Sequence, residues 1–382
     1  MKILNKNLIF NVFIVFCFLS PTKEWAYLLG YILLFLNLKR LDLILTYENI
    51  FKSILGLLIG LAMVLNARSM IDPKDLMIIF NFGLLFLLFP YFIGKGITIK
   101  PFSILFITLS IIFSQIIFFF DIEFLKVIIY KIYENETGLR NFDSFIVGAG
   151  RNGGLFYNPN QASKYLNILL AVALVSVKNY NFQLLLSGLI TFSVFLTGSR
   201  TGLIVVLLIL LYYLIIIKKD YLISLLLTFC GAGAIMIKNL YENTRSLSLS
   251  ETGSLDYKVD SLLDYFNKVA AYEPVKSLLF GNLVSDYDKL ASIYDLDQKY
   301  KFGFDAEVGF MISFFGLIIT LLILVFFLKQ SLKLIQTKYY IIIIPFFVWP
   351  ITSTILFSFK TSLVYMVLLA YSINKSTLVL EE

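Results

Sequence analysis

Apolar runs, each close to the length that crosses a bilayer, follow one another along the chain with polar connections between them. Pro101 to Phe120, Thr201 to Ile217 and Val308 to Leu328 are examples. In order, the runs predict helices near 8–20, 25–38, 50–66, 75–93, 101–120, 162–177, 181–198, 201–217, 220–237, 306–328, 339–358 and 361–374. The second and last are short for a hydrocarbon core about 30 Å thick, so ten to twelve spans are expected. One or two such runs could be core helices of a soluble protein; this many cannot.

Composition supports that reading. The 382 residues are 59% hydrophobic and 15% charged, with a mean hydropathy of +0.85, more apolar surface than one soluble core buries. The formal charge of +7 is spread singly or in pairs between the runs, which is a topology signal rather than a nucleic-acid patch. With the N-terminus inside, the connections holding Lys39 and Arg40, Lys95 and Lys100, Lys178, Lys218 and Lys219, and Lys329, Lys333 and Lys338 all fall on the cytoplasmic side.

The expected architecture is therefore an all-α polytopic membrane protein, one membrane domain over residues 1–382, in the cytoplasmic (inner) membrane. Lys2 and Lys6 precede a short apolar run, but no small-residue cleavage site follows, so the first run is expected to be retained as a span. Cys17 and Cys230 lie inside apolar runs and read as packing residues.

Irregular backbone and charge are tolerated in membranes only where they meet water or line a cavity, so function is expected in the connections. Two are long, residues 121–161 and 238–305, and both fall outside under this topology. The working face is expected to be extracytoplasmic. The first long loop closes with Arg151-Asn152-Gly153-Gly154-Leu155-Phe156-Tyr157-Asn158-Pro159-Asn160. Glycines allow close backbone approach, and Asn-Pro-Asn makes a turn whose last residue can cap the next helix, a place that would welcome an anion. The same pattern also punctuates ordinary loops. Further on, Leu196-Thr197-Gly198-Ser199-Arg200-Thr201-Gly202 joins two runs almost without a spacer and puts Arg200 at a helix-helix turn near the outer surface. Snorkelling to lipid phosphate is one use for such an arginine. Gripping a diphosphate with its planar fork is the other.

These residues resemble the O-antigen polymerase and ligase superfamily of bacterial surface polysaccharide assembly. The resemblance covers roughly residues 145–320: Arg151 through Asn160, Thr197-Gly198-Ser199-Arg200, a large outer loop, Leu278-Leu279-Phe280-Gly281, and Asp305-Ala306-Glu307-Val308-Gly309-Phe310 leading to Phe315-Gly316-Leu317-Ile318. It implies a glycosyltransferase of the GT-C type that joins undecaprenyl-diphosphate-linked repeat units, donor and acceptor alike, into O-antigen or capsule. No cofactor, nucleotide sugar or metal is implied. The family's arginines map onto Arg151 and Arg200, with Arg245 in the large loop as a third. Arg245, Asn158, Asn160 and Ser199 are the expected substrate contacts. A chain-length regulator and a flippase are the expected protein partners; no nucleic acid is expected.

The ligases that this chain resembles carry a histidine in the large loop or at its end, and this chain has none. That favours polymerase over ligase. Asp305 and Glu307 stand at the matching place, where either could orient or deprotonate a sugar hydroxyl. Alternatively they complement a helix dipole. Asp286-Tyr287-Asp288 and Asp295-Leu296-Asp297 have metal-binding spacing, but in a loop rich in Asp and Lys they read as solvated surface. Transfer of the same glycan by a flippase is the competing reading. Such proteins tend to carry ionisable residues mid-helix, internal repeats and short connections on both faces.

Overall fold

The computed structural model describes residues 6–20, 98–133, 152–156, 159–219, 307–335, 337–352 and 359–380, with Ile223, Leu263, Asn267, Leu279 and Gly281 singly. These residues are helical and contain no strand. The runs expected at 25–38, 50–66, 75–93 and 220–237 lie outside them, as does nearly all of the loop 238–305.

Where the chain is described, apolar runs became helices. They are α1 (Lys6–Leu19), α2 (Pro101–Phe119), α4 (Pro159–Ser176), α5 (Tyr180–Thr197) and α6 (Arg200–Tyr212), which continues as a π-helix over Tyr213–Lys218. After the large loop come α7 (Glu307–Leu332), a 3-10 turn (Lys338–Ile342), α8 (Ile344–Thr352) and α9 (Phe359–Leu380). Pro101–Phe119, Tyr180–Thr197 and Arg200–Lys218 are long and apolar enough to cross a membrane, which marks the protein as membrane-associated. Three expectations change in detail. The run 339–358 divides into the 3-10 turn and α8. The last run, read as short, forms 22 residues of helix. The loop 121–161 contains α3 (Glu123–Tyr133), an amphipathic helix too short to span. Inside α7, Gly316 takes φ 77 and ψ 162, which interrupts the helix; a side chain would be strained there.

Helices α2 and α5 expose apolar side chains and bury their polar ones among further apolar residues. On α2 the exposed stripe is Phe102, Phe106, Leu109, Phe113 and Ile116, spaced by fours and threes, while Ser103, Thr108, Ser114 and Gln115 are buried. On α5, Leu184, Leu185, Phe192 and Phe195 face out and Gln183, Ser187, Ser193 and Thr197 face in. Such a surface suits lipid better than water, and in lipid polar groups find partners only against other helices. Those partners are specific. Asn11 of α1 bonds the start of α2 three ways: its Nδ2 donates to Thr98 O (2.9 Å), and its Oδ1 accepts from Lys100 N (2.7 Å) and Ser103 Oγ (3.0 Å); Nδ2 also donates to Asn7 O (2.7 Å) within α1. Helix α4 is the hub, buried at every position from Ala162 to Val175 and packed on α2, α5, α6, α8 and the 3-10 turn.

The helix ends sort into two groups. At one end lie the starts of α1, α2 and α5 and the ends of α4, α6 and α9, tied by Phe10 on Tyr371 (6.5 Å) and Tyr212 on Tyr340 (5.7 Å). Lys100, Lys178, Lys218, Lys219, Lys338 and Lys375 belong to this end. At the other, Tyr133 of α3 donates to Leu19 O (2.8 Å) at the end of α1, Asn152 N donates to Leu196 O (3.3 Å), and the exposed acids Asp121 and Glu123 appear. Lys126 pairs with Asp121 there.

Candidate functional site

The second end gathers the motifs. Gly198, at φ 66, caps α5 in the left-handed conformation, and one residue later Ser199 caps α6, its Oγ accepting from Gly202 N (3.2 Å). Two helices thus reverse through two residues, and Arg200 stands exposed at the first position of α6, at the turn where the sequence placed it. Ser199 Oγ also donates to Asn160 Oδ1 (2.9 Å) in the first turn of α4. Because α4 starts at Pro159, Asn160 lies inside the helix rather than at its cap. Pro at the first helical position needs no amide hydrogen, which is why the boundary falls there.

Below this contact α4 and α6 run side by side in the same direction. Thr197 Oγ1 donates to Val194 O (2.7 Å), so the 2.6 Å contact with Ser163 Oγ is a donation from the serine. Asn167 Nδ2 donates to Gly202 O (3.3 Å). Gly202 makes the approach possible: a Cβ there would meet Ser163 Oγ at 2.5 Å and Ser163 Cβ at 2.7 Å. Two helix N-termini, each bearing roughly half a positive charge, are thereby brought together next to Arg200.

One turn deeper, sequence reasoning missed a residue. Lys164 is 2% exposed, with its Nζ 5.6 Å from the centre of the Trp349 ring of α8. A lysine buried within an apolar helix is uncommon, because its ammonium loses water, and it singles out this turn of α4. Neighbouring Asn167 is fully buried, and its Oδ1 has no hydrogen-bond partner. The available signal was a lysine and an asparagine three apart inside the predicted span 162–177. Among the described residues this corner gathers two helix N-termini, the exposed Arg200 and the buried Lys164.

The described part of the glycine-rich stretch, residues 152–156, packs inside the protein. Asn152 Nδ2 donates to Gln115 O (2.6 Å), Gln115 Nε2 donates to Asn152 O (3.2 Å) and Ser193 O (3.0 Å), and Ser193 Oγ donates to Gln115 Oε1 (2.6 Å). Gly154 N donates to Asn152 Oδ1 (2.9 Å) and Leu155 N to Ser114 Oγ (2.9 Å), while Phe156 N donates to Gly153 O (3.1 Å). The amides of 152, 154, 155 and 156 are thus committed inside the protein, and residues 152–156 are wedged between α2 and α5. The close approach made by Gly154, at φ 60, is to Ser114 and Gln115.

Arg151, Asn158, Arg245 and Asp305 lie outside the described residues. Glu307 is the first residue of α7, and nothing of its side chain is described. Of the predicted site residues, Asn160, Ser199 and Arg200 are brought together, the first two by a direct hydrogen bond.

No protein-family model, curated protein or solved structure matches the chain.

Proposed function

We propose that this protein is a repeat-unit polymerase: a metal-independent glycosyltransferase joining undecaprenyl-diphosphate-linked oligosaccharides on the outer face of the cytoplasmic membrane. The observation that supports it best is the paired N-termini of α4 and α6 with Arg200 at their head, a corner whose charge suits a diphosphate. In the proposed reaction an acceptor hydroxyl attacks the donor's anomeric carbon. The bond from that carbon to the lipid diphosphate breaks, and the bonding pair leaves with the diphosphate. Arg200 and Arg151 offset the charge that develops on it, and Glu307 or Asp305 takes the hydroxyl proton. Lys164, inside the bundle, adds to the same positive field.

Lys164 also favours a second reading. A buried ionisable residue inside a helix is a feature of transporters, so it restores weight to a lipid-linked glycan flippase. One experiment separates the readings: purified protein is given synthetic undecaprenyl-diphosphate repeat units, and products are run on a gel. A ladder spaced by one repeat supports polymerase, and single transfer to a different lipid supports a ligase. No product, with movement of the lipid-linked unit across vesicle membranes, supports a flippase.

A further inference from the structure

Helix α3 lies across the ends of its neighbours rather than beside them. It starts just past the end of α2, after Phe120, Asp121 and Ile122. Its middle packs at the same place: Ile129, with Leu125 and Tyr133 beside it, meets Ile117 and Phe118 in the last turn of α2. Its last residue reaches α1, where Tyr133 Oη donates to the carbonyl oxygen of Leu19, the final residue of that helix (2.8 Å). Start, middle and end are thus held at the level where α1 and α2 stop. The 11 residues, about 16 Å of helix, therefore run along this end of the bundle instead of projecting from it.

At about 100° per residue the helix divides into three sides. Leu125, Ile129 and Tyr133 form the docked side. Glu123 and Lys126 lie beyond them, Lys126 paired with Asp121. The remaining side, about 140° wide, is exposed and apolar: Phe124 is 75% exposed, with Val127, Ile128 and Ile132 around it. Lys131, also exposed, stands within that side, and its four-carbon stem is long enough to carry the ammonium to headgroup phosphates.

The exposed apolar side chains of α3 are continuous with those of α2. Ile116, Phe119, Phe120, Ile122 and Phe124 follow one another along the chain, all exposed, with the Phe119 and Phe120 rings in contact (5.3 Å). Pro101–Phe119 is long and apolar enough to cross a membrane, and a helix that does so ends at the boundary between acyl chains and headgroups. A helix held level with that end lies in the boundary, where its apolar side meets acyl chains and its charged side meets water. We propose that Phe124, Val127, Ile128 and Ile132 seat α3 in the lipid leaflet at this end of the bundle, as an interfacial anchor. Leu155 packs against the same cluster as Ile129, so the anchor also ties the glycine-rich stretch to the membrane surface. This contact is independent of the polymerase reading.

The test uses the full chain with Cys17→Ala and Cys230→Ala, carrying one new cysteine coupled to a fluorophore and reconstituted in phosphatidylcholine vesicles. Labels on Phe124→Cys and Ile128→Cys should lose most of their emission to phosphatidylcholine bearing a nitroxide high on its acyl chain, and little to aqueous iodide. A label on Glu123→Cys should do the reverse. Val127→Cys and Ile132→Cys, also at exposed positions, should behave like Phe124→Cys and serve if one variant folds poorly. Quenching of the apolar-side labels by iodide would overturn the proposal, because it would put that side in water. Protection from both quenchers would overturn it too, since another segment of this chain or a second copy would then cover the face.

Discussion

Replacing Gly202 by alanine adds one methyl group at the tightest point between α4 and α6. Helix propensity alone predicts a gain of about 1 kcal/mol, since alanine replaces glycine within a helix. The contacts predict the opposite. The new Cβ would lie 2.7 Å from Ser163 Cβ and 2.5 Å from Ser163 Oγ, whereas carbon atoms in contact sit about 3.5–4.0 Å apart. Rotating the serine moves only the hydroxyl, so the helices must separate by about 1 Å. A gap of that size forfeits about a quarter to a half of each lost dispersion contact, and overpacking of this kind costs about 1–3 kcal/mol. It would also stretch the 2.9 Å Ser199 to Asn160 bond beyond hydrogen-bonding range and displace Arg200. The net expectation is a loss of about 1–2 kcal/mol, read as a lower midpoint of thermal unfolding in detergent. Ser163→Gly removes both clashing atoms. In a double-mutant cycle the pair should therefore be less destabilised than the sum of the singles, by about 1 kcal/mol or more. Additive effects, or a Gly202→Ala protein as stable as wild type, would refute the close-packing argument.

On the polymerase reading, Arg200→Ala should abolish nearly all polymer and Arg200→Lys most of it, because lysine keeps charge but not the fork; removing one such group typically costs about a hundredfold or more. Full ladders from a well-expressed Arg200→Lys protein would make this arginine a snorkelling residue. Gln115→Leu strands Ser193 and Asn152 around a buried gap and should lower stability by about 1–3 kcal/mol, whereas an exposed apolar neighbour such as Phe113→Leu should change it little; comparable unfolding midpoints would count against that packing. Burial raises the Tyr133 phenol above its ordinary value, so the neutral form is favoured when α3 is docked. Its contribution is complete below about pH 10 and is lost as pH rises through the folded value. A nitroxide at Phe124 should gain mobility there, and Tyr133→Phe should erase that step; an unchanged step would exonerate the phenol. Finally, a cysteine at Asn141 should react with a membrane-impermeant reagent in whole cells and one at Lys219 should not. Labelling at Lys219 would reverse the proposed orientation.

Helix positions were legible in the sequence because hydropathy is a local property: runs read at 101–120, 181–198 and 201–217 correspond to Pro101–Phe119, Tyr180–Thr197 and Arg200–Lys218. The turn at Arg200 was equally legible, since Gly198 and Ser199 are the residue types that end one helix and begin another. Orientation within the runs was not. When a helix is apolar on all sides, its 3.6-residue period fades, and only packing shows that Gln115 and Ser193 face inward while Phe113 and Phe192 face outward. The amphipathic α3 was hidden because loop and interfacial helix share a composition. Glycine's freedom in residues 152–156 is visible in sequence, but the partners of their amides lie on α2 and α5, far away along the chain, and only packing reveals them. Lys164 was passed over for the same reason: its charge can be read from one letter, but its burial depends on Trp349, 185 positions later, and only the tertiary structure brings the two together.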